Sequence, residues 1–118
     1  MREKTVQNEI LLAVGRGDTR LFRNNVGTGW QGNPPRPLRA GLCKGSSDLI
    51  GWRSIEITPD MVGQKVAVFL AIECKATKGG RVSVDQQRFI DAVQDAGGIA
   101  GVARNVEEAA RIKNPGHF

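Results

Sequence analysis

A run of seven apolar residues near the middle of the chain constrains its fold more than any other feature. The run is VAVFLAI, residues 66–72, and Glu73-Cys-Lys75 follows it directly. Seven residues are too few to span a bilayer, and the content of Val, Ile and Phe favours a buried strand. Residues 66–75 are therefore predicted to form a core strand.

The two charged residues at the end of this strand need an explanation. Side chains alternate between the two faces of a strand, so Glu73 and Lys75 are predicted to project from the same side. Burial of either charge is costly unless a partner compensates it. A plain ion pair at a strand end satisfies this condition, and so does a site that uses a carboxylate ligand and a cation together.

Length and charge narrow the class of protein. A chain of 118 residues is expected to form one domain, residues 1–118, with a modest core. The chain has 17 Lys and Arg against 12 Asp and Glu, a net charge of +5, which suits a polyanionic partner. The polar N-terminus and the lack of a long apolar stretch predict a cytoplasmic protein without a signal peptide or membrane span.

The residue types present exclude several kinds of chemistry. The sequence has no Tyr, and its one His is His117, near the C-terminus, where chains often fray. Tyrosine nucleophiles are excluded, and histidine bases and histidine-ligated zinc are disfavoured. Cys43 and Cys74 show no metal or redox spacing, which indicates reduced thiols. Catalysis by this chain should rest on carboxylates, lysine and a hard metal ion.

Periodicity and capping patterns predict the order helix, three strands, helix, strand, helix. The predicted spans are a helix over 5–15, strands over 20–26, 48–57 and 66–75, a helix over 83–96, a strand over 99–103 and a helix from 105. Ser83-Val-Asp-Gln86 is a capping-box pattern. Residues 27–47 show no helical or strand period, so this long segment is predicted to be irregular, and functional or partly mobile.

A hairpin between the second and third strands would bring two distant carboxylates together. The turn around Pro59–Gly63 would place its centre between Asp60 and Met61. Asp48 and Glu73 are equidistant from that centre. The register therefore predicts that Asp48 and Glu73 are neighbours.

Three carboxylates and one lysine are then predicted at one end of the sheet. They are Glu9, which borders the apolar stripe of the first helix, with Asp48, Glu73 and Lys75. Hard cations such as Mg²⁺ prefer oxygen ligands, and such an ion can polarise a phosphodiester and prepare a water for attack. Lys75 can orient or help deprotonate that water. The backbone carbonyl of Cys74 is a natural extra ligand.

These residues resemble a known family signature. Asp48 followed by Glu73-Cys-Lys75, on an αβββαβ order, resembles the PD-(D/E)xK nuclease superfamily. The strings GSSDLI (45–50), GRVS (80–83), Gln86 and AGGIAGVAR (96–104) resemble its VRR-NUC family over roughly residues 5–112. Ser47 stands where the family often has Pro, and Val84-Asp85 where a Pro commonly follows the helix-cap Ser. Neither departure removes a catalytic group.

The resemblance implies a restriction-endonuclease-like α/β fold, an αβββαβ core with a mixed central sheet flanked by helices. It implies that Asp48 and Glu73 bind Mg²⁺ or Mn²⁺ and that Lys75 handles the water. Glu9, which would bind the metal through a water, and Gln86 would both support the catalytic site. Glu9 is also explained as a solvated helix carboxylate, and Gln86 as a capping-box partner. Many small members of the family come from phages, which suits a phage-encoded protein acting in a bacterial host.

Basic residues concentrate between Arg16 and Ser47. This segment has one acid, Asp18, and six basic residues: Arg16, Arg20, Arg23, Arg36, Arg39 and Lys44. The asymmetry suits phosphate contacts, which position DNA without reading its sequence. Arg36, Arg39 and Lys44 are the DNA-binding candidates, and Trp30 either contacts DNA or packs. A solubilising basic surface is the alternative explanation.

Together these features predict a Mg²⁺- or Mn²⁺-dependent DNA endonuclease that hydrolyses phosphodiester bonds. The resemblance suggests a homodimer acting on branched DNA, including four-way (Holliday) junctions. Two alternatives stay open: a non-catalytic nuclease-fold module that binds DNA, and a subunit that cuts only when a partner presents DNA. The first is less favoured, because a binding module has no need of Asp48, Glu73 and Lys75 together.

Overall fold

The structure is a computed structural model that describes residues 2–116; His117 lies outside the described residues. In chain order its elements are α1 (Glu3–Val14), β1 (Thr19–Arg23), β2 (Gly27–Gln31), β3 (Arg36–Ala40), β4 (Leu49–Arg53), a 3₁₀ helix (Pro59–Met61), β5 (Leu70–Cys74), α2 (Val84–Asp95), β6 (Ile99–Ala103) and α3 (Val106–Lys113). With β2 and β3 set apart as an insertion, the order is αβββαβ followed by a helix, as predicted. The chain divides into two compact units, Met1–Ile55 and Glu56–Phe118.

The first unit contains an antiparallel pair of strands and the first helix. β1 pairs with β4, so that Leu21 lies opposite Gly51, and α1 contacts β1. α1 starts two residues earlier than predicted and ends at Val14, and its C-cap is Gly15, whose N–H donates to the Leu11 carbonyl at 3.1 Å. β4 is shorter than the predicted strand over 48–57, since it ends at Arg53.

The prediction of an irregular segment over residues 27–47 was wrong. β2 and β3 form an antiparallel hairpin within it, and all ten of their residues are exposed. Alternation of apolar and polar residues arises when one face of a strand is buried, and this ribbon has both faces exposed. Gly27, Gly29 and Pro37 also weaken the strand pattern, because Gly and Pro are both disfavoured in strands.

The second unit is a β–α–β arrangement with one further helix. β5 and β6 pair in parallel, joined through α2, and both α2 and α3 contact β6. Its buried apolar residues are Ile90 and Val93 of α2 with Ala100 and Ala103 of β6. The predicted strand over 99–103 is confirmed residue for residue.

The predicted core strand is shorter and less buried than its sequence indicated. β5 covers Leu70–Cys74, and its three central residues are half-buried. β5 pairs with β6 in parallel, and Leu70 lies opposite Ile99, the first residue of β6. The pairing therefore begins at Leu70, and the apolar residues before it lie outside the strand. The strand predicted from the apolar run therefore begins several residues too early.

The α/β fold class is confirmed. Three helices accompany antiparallel strand pairs in the first unit and a parallel pair in the second. One central sheet that includes a hairpin of residues 48–57 and 66–75 stays a prediction, as does a single domain over residues 1–118. Among residues 2–116, none of the helices combines the length and apolar character that crossing a membrane requires.

Gly51 marks a close approach of two backbones. A Cβ atom at this position would lie 1.8 Å from the carbonyl oxygen of Arg20 and 2.8 Å from its carbonyl carbon. No side chain fits at such distances. β1 and β4 can therefore pair in the observed register only with glycine at this position.

Replacing Gly51 with Ala should destabilise the protein, because the added methyl group overlaps the Arg20 backbone. Overpacking typically costs about 1–3 kcal/mol, which urea unfolding would show as a lower midpoint. Gly29→Ala is the matched control, since a Cβ at Gly29 meets no atom of the described residues within 4 Å. Equal midpoints for the two variants would contradict the close approach.

Candidate active site

Glu73 and Lys75 lie together at the carboxyl end of β5. Lys75 Nζ is 3.5 Å from Glu73 Oε1, and the side chains of Lys75 and Glu73 are 16% and 32% exposed. The prediction that both groups project from one face is confirmed. Because both are only partly exposed, solvent screens their attraction less than it screens a surface pair.

Gln86, in the first turn of α2, contacts both charged groups. Its Nε2 donates to Glu73 Oε1 at 2.8 Å, and its Oε1 accepts from Lys75 Nζ at 3.0 Å. Gln86 Oε1 also accepts from the Ser83 N–H at 2.9 Å, and Ser83 Oγ accepts from the Gln86 N–H at 3.1 Å. The predicted capping box is confirmed. One side chain both caps α2 and binds the carboxylate and the ammonium at the end of β5.

Arg104, which directly follows β6, holds the loop that follows Lys75. Its guanidinium donates to three backbone carbonyls, those of Ala76 at 2.7 Å, Gly79 at 2.5 Å and Gly80 at 3.0 Å. The planar guanidinium presents its donors in a rigid fork, so three bonds restrain the loop strongly. The Lys75 N–H donates to the Ala103 carbonyl at 3.0 Å. The backbone on both sides of Lys75 is therefore tied to the end of β6.

The first unit holds the other two predicted carboxylates. Asp48 directly precedes β4 and has an exposed side chain, while its backbone carbonyl accepts from the Asn24 N–H at 2.8 Å. Glu9 is an exposed residue of α1. Within either unit, the described residues contain no group of three or more His, Cys, Asp or Glu that could hold a metal ion. The convergence of Glu9 and Asp48 with Glu73 combines residues of both units and stays a prediction.

A buried amide fastens the loop that carries Asp48. Asn24 is 7% exposed and directly follows β1. Its Nδ2 donates to Ser46 Oγ at 2.6 Å and to the Ser47 carbonyl at 2.9 Å, and its Oδ1 accepts from the Leu42 N–H at 2.7 Å. Both polar ends of the amide are therefore satisfied, as burial requires. The available sequence signal was a pair of Asn residues inside the predicted strand over 20–26, where Asn is uncommon.

The DNA-binding candidates also lie in the first unit. Arg36 and Arg39 belong to β3, Lys44 lies on the loop after it, and all three side chains are exposed. Trp30 of β2 is 75% exposed. This exposure excludes packing of the Trp30 ring against the described residues, which was one of the two explanations for Trp30.

The donor set at the end of β5 fits a hard divalent cation. Glu73 uses Oε1 for its bond with Gln86, while its Oε2 accepts no hydrogen bond from the described residues of the second unit. The carboxylate is partly exposed, and Cys74, the next residue in the chain, supplies a backbone carbonyl. Carboxylate and carbonyl oxygens are the ligands that Mg²⁺ and similar ions prefer.

Comparison with known proteins identifies the family. The VRR-NUC domain matches residues 34–107, which is more than half of the chain, and the protein belongs to the VRR-NUC family. Neither a curated protein nor a solved structure matches the chain. The matched region contains Asp48, Glu73, Lys75 and Gln86, whereas Glu9 precedes it. The chain thus carries a nuclease-type domain, and such a domain implies DNA as its partner.

The two roles of Gln86 can be separated by mutation. Gln86→Ala and Ser83→Ala both remove a cap interaction, which typically costs about 1 kcal/mol. Thermal unfolding should show a lower Tm for both, with the larger decrease in Gln86→Ala, which also loses its contacts with Glu73 and Lys75. DNA cleavage under single-turnover conditions, well below both Tm values, should slow only in Gln86→Ala, because Gln86 contacts Glu73 and Lys75 directly. Equal cleavage rates would mean that Gln86 acts on helix stability alone.

Proposed function

We propose that this protein is a metal-dependent DNA endonuclease that hydrolyses phosphodiester bonds and selects branched DNA such as four-way junctions. The observation that carries the proposal is the contact of Gln86 with both Glu73 and Lys75, inside the region that matches the VRR-NUC domain. A carboxylate and an ammonium held together at a strand end by a third group are suited to phosphodiester chemistry.

The proposed metal is Mg²⁺ or Mn²⁺. Its proposed ligands are the carboxylates of Glu73 and Asp48 and the backbone carbonyl of Cys74, with Glu9 acting through a water. Oxygen donors of this kind favour hard cations. When bound, such an ion polarises the scissile phosphodiester and offsets charge on the leaving oxygen.

Lys75 and Gln86 have different roles in the proposed reaction. In hydrolysis, a water oxygen attacks phosphorus and releases a proton to solvent, the bond to the leaving oxygen breaks, and that oxygen takes up a proton from solvent. The Lys75 ammonium supplies positive charge and N–H donors to the water and to the negative charge that develops in the transition state. Gln86 holds the ammonium through Oε1 and the Glu73 carboxylate through Nε2. Gln86 is thus a positioning residue.

The basic surface of the first unit supports DNA as the substrate. Arg36, Arg39 and Lys44 are exposed, and the chain has a net charge of +5. Contacts of this kind neutralise phosphates and make binding strongly dependent on salt. They position a duplex without distinguishing its sequence, which agrees with selection by DNA shape.

Cleavage of labelled DNA tests the proposal. Linear duplex, flap and four-way DNA of equal length are incubated with Mg²⁺, Mn²⁺, Ca²⁺ or EDTA. We expect cutting with Mg²⁺ or Mn²⁺, greatest on branched DNA, and binding with little cutting in Ca²⁺. Undiminished cutting in excess EDTA would refute the metal mechanism, and equal cutting of linear DNA would refute the selectivity.

Two variants separate metal binding from the chemical step. Glu73→Gln keeps the size of the side chain but loses its charge, so metal affinity and cleavage should both fall. Lys75→Ala removes no ligand and one positive charge, so metal binding should persist or strengthen. Its cleavage rate should fall on the order of 10²–10³-fold, the usual effect of losing one group that stabilises transition-state charge.

Calorimetric metal titration beside single-turnover cleavage measures both variants. If Lys75→Ala cleaves like the wild type, Glu73 and Lys75 form only a structural ion pair at the strand end. The non-catalytic DNA-binding module would then be the better explanation.

We further propose a two-fold homodimer as the active form. Symmetric resolution of a four-way junction requires two cuts and hence two active sites, which one isologous interface supplies. Light scattering at the concentration used for cleavage should give twice the mass of the chain. A monomer that cleaves junctions at the full rate would refute the dimer.

A further inference from the structure

One face of the β2–β3 hairpin carries the most exposed aromatic ring among the described residues, that of Trp30. Directly opposed residues of an antiparallel pair point to the same face. Trp30 lies opposite Pro37, and Thr28 lies opposite Arg39. We call Thr28, Trp30, Pro37 and Arg39 the Trp30 face. It combines an indole, a guanidinium and a hydroxyl on one side of a two-stranded ribbon.

The opposite face of the hairpin differs in chemistry. It consists of Gly27, Gly29 and Gln31 of β2 with Arg36, Leu38 and Ala40 of β3. Two glycines remove side chains from most of its β2 edge, and it has no aromatic residue. The hairpin is therefore two-sided, and Leu38 offers an apolar control position on the side away from Trp30.

The base of the hairpin is held in place although its faces are exposed. Gly41 has a φ of +87°, and a Cβ there would lie 2.7 Å from Val26 Cα and 2.9 Å from the Asn25 carbonyl oxygen. The next residue, Leu42, donates its N–H to the buried Asn24 side chain. The two strands thus leave from a closely packed junction. The hairpin is therefore anchored at its base, whereas the exposed Trp30 lies close to the turn that joins its two strands.

Charge indicates which ligand suits the Trp30 face. An exposed apolar ring alone would suit a protein partner as well as a nucleic acid. Residues 19–47, however, contain no Asp or Glu and five basic residues: Arg20, Arg23, Arg36, Arg39 and Lys44. This charge is complementary to a phosphate-linked chain. Aromatic rings beside cationic groups hold unpaired nucleotides, because the bases stack on the ring while the cations contact the backbone.

We propose that the Trp30 face binds unpaired nucleotides at a DNA branch, with Trp30 stacking on a base and Arg39 contacting a neighbouring phosphate. This inference rests on the proposed function and deepens it, since it supplies a source of selectivity for branched DNA that carries unpaired nucleotides, such as a flap. Glu73 and Lys75 would act on a phosphodiester group, which linear and branched DNA both contain, so these two residues do not distinguish the two kinds of DNA. A base inside a duplex is stacked on both sides, whereas a base at a flap or gap has a free face for the indole.

DNA binding in EDTA tests the inference without requiring cleavage. Fluorescence anisotropy compares labelled duplex with gapped DNA of the same length that exposes unpaired bases. Trp30→Ala should weaken binding of the gapped DNA about 5- to 150-fold, the usual range for losing one base–aromatic stack, and should leave duplex binding nearly unchanged. Trp30→Phe should restore most of the affinity. The control Leu38→Ala, on the opposite face, should alter neither.

Intrinsic fluorescence provides a second readout. The chain has two tryptophans, and Trp52 packs against Phe22 with ring centroids 5.4 Å apart. In the Trp52→Phe variant, Trp30 is the remaining indole. Gapped DNA should quench its emission, because stacking brings a base into contact with the ring. Quenching of equal size by duplex DNA would contradict stacking on unpaired bases.

Each other outcome overturns the proposal in a recognisable way. If Trp30→Ala binds gapped DNA with wild-type affinity, or loses affinity equally for gapped and duplex DNA, Trp30 does not stack on unpaired bases. If Trp30→Ala changes the oligomeric mass without changing the preference for gapped DNA, the Trp30 face is an interface between copies of the chain. Failure of the proposed nuclease function would look different. Wild-type cleavage would be absent while the difference between gapped and duplex binding remained.

Discussion

The candidate active site depends on the hydrogen bonds that the Gln86 amide makes with a carboxylate and an ammonium. An ammonium only donates and a carboxylate only accepts, so the amide must direct its oxygen to Lys75 and its nitrogen to Glu73. The same oxygen accepts from the Ser83 N–H. The start of α2 and the end of β5 are thereby joined through one side chain. A displacement of α2 would change the positions of both charged groups.

The two units present different kinds of surface for the proposed reaction. In the second unit, packing of α2 and α3 on β6 supports the short strand that ends in Glu73 and Lys75. In the first unit, an exposed hairpin and a loop fastened by Asn24 present basic and aromatic groups to solvent. Precise positioning of reacting groups requires packed surroundings, whereas contacts with a large polyanion require exposed charge.

Patterns within a few residues predicted the second unit well. The capping box before α2 and the apolar strand over 99–103 are confirmed, and α3 follows residue 105 as predicted. The hairpin of β2 and β3 was missed because a ribbon exposed on both faces needs no alternation of apolar and polar residues. The length of β5 was overestimated because pairing with β6, and not hydrophobicity alone, sets its extent.

The sequence by itself determined the shared face of Glu73 and Lys75, because strand geometry alone places residues two apart on one side. It also determined the Ser83 capping box, which needs only four consecutive residues. Tertiary structure decided that Gln86 reaches both charged groups, that Arg104 ties down the loop after Lys75 and that Asn24 is buried. These contacts join residues 11 to 28 positions apart, and no local pattern encodes them. They form only when helices, strands and loops pack against one another, because packing sets which distant polar groups meet.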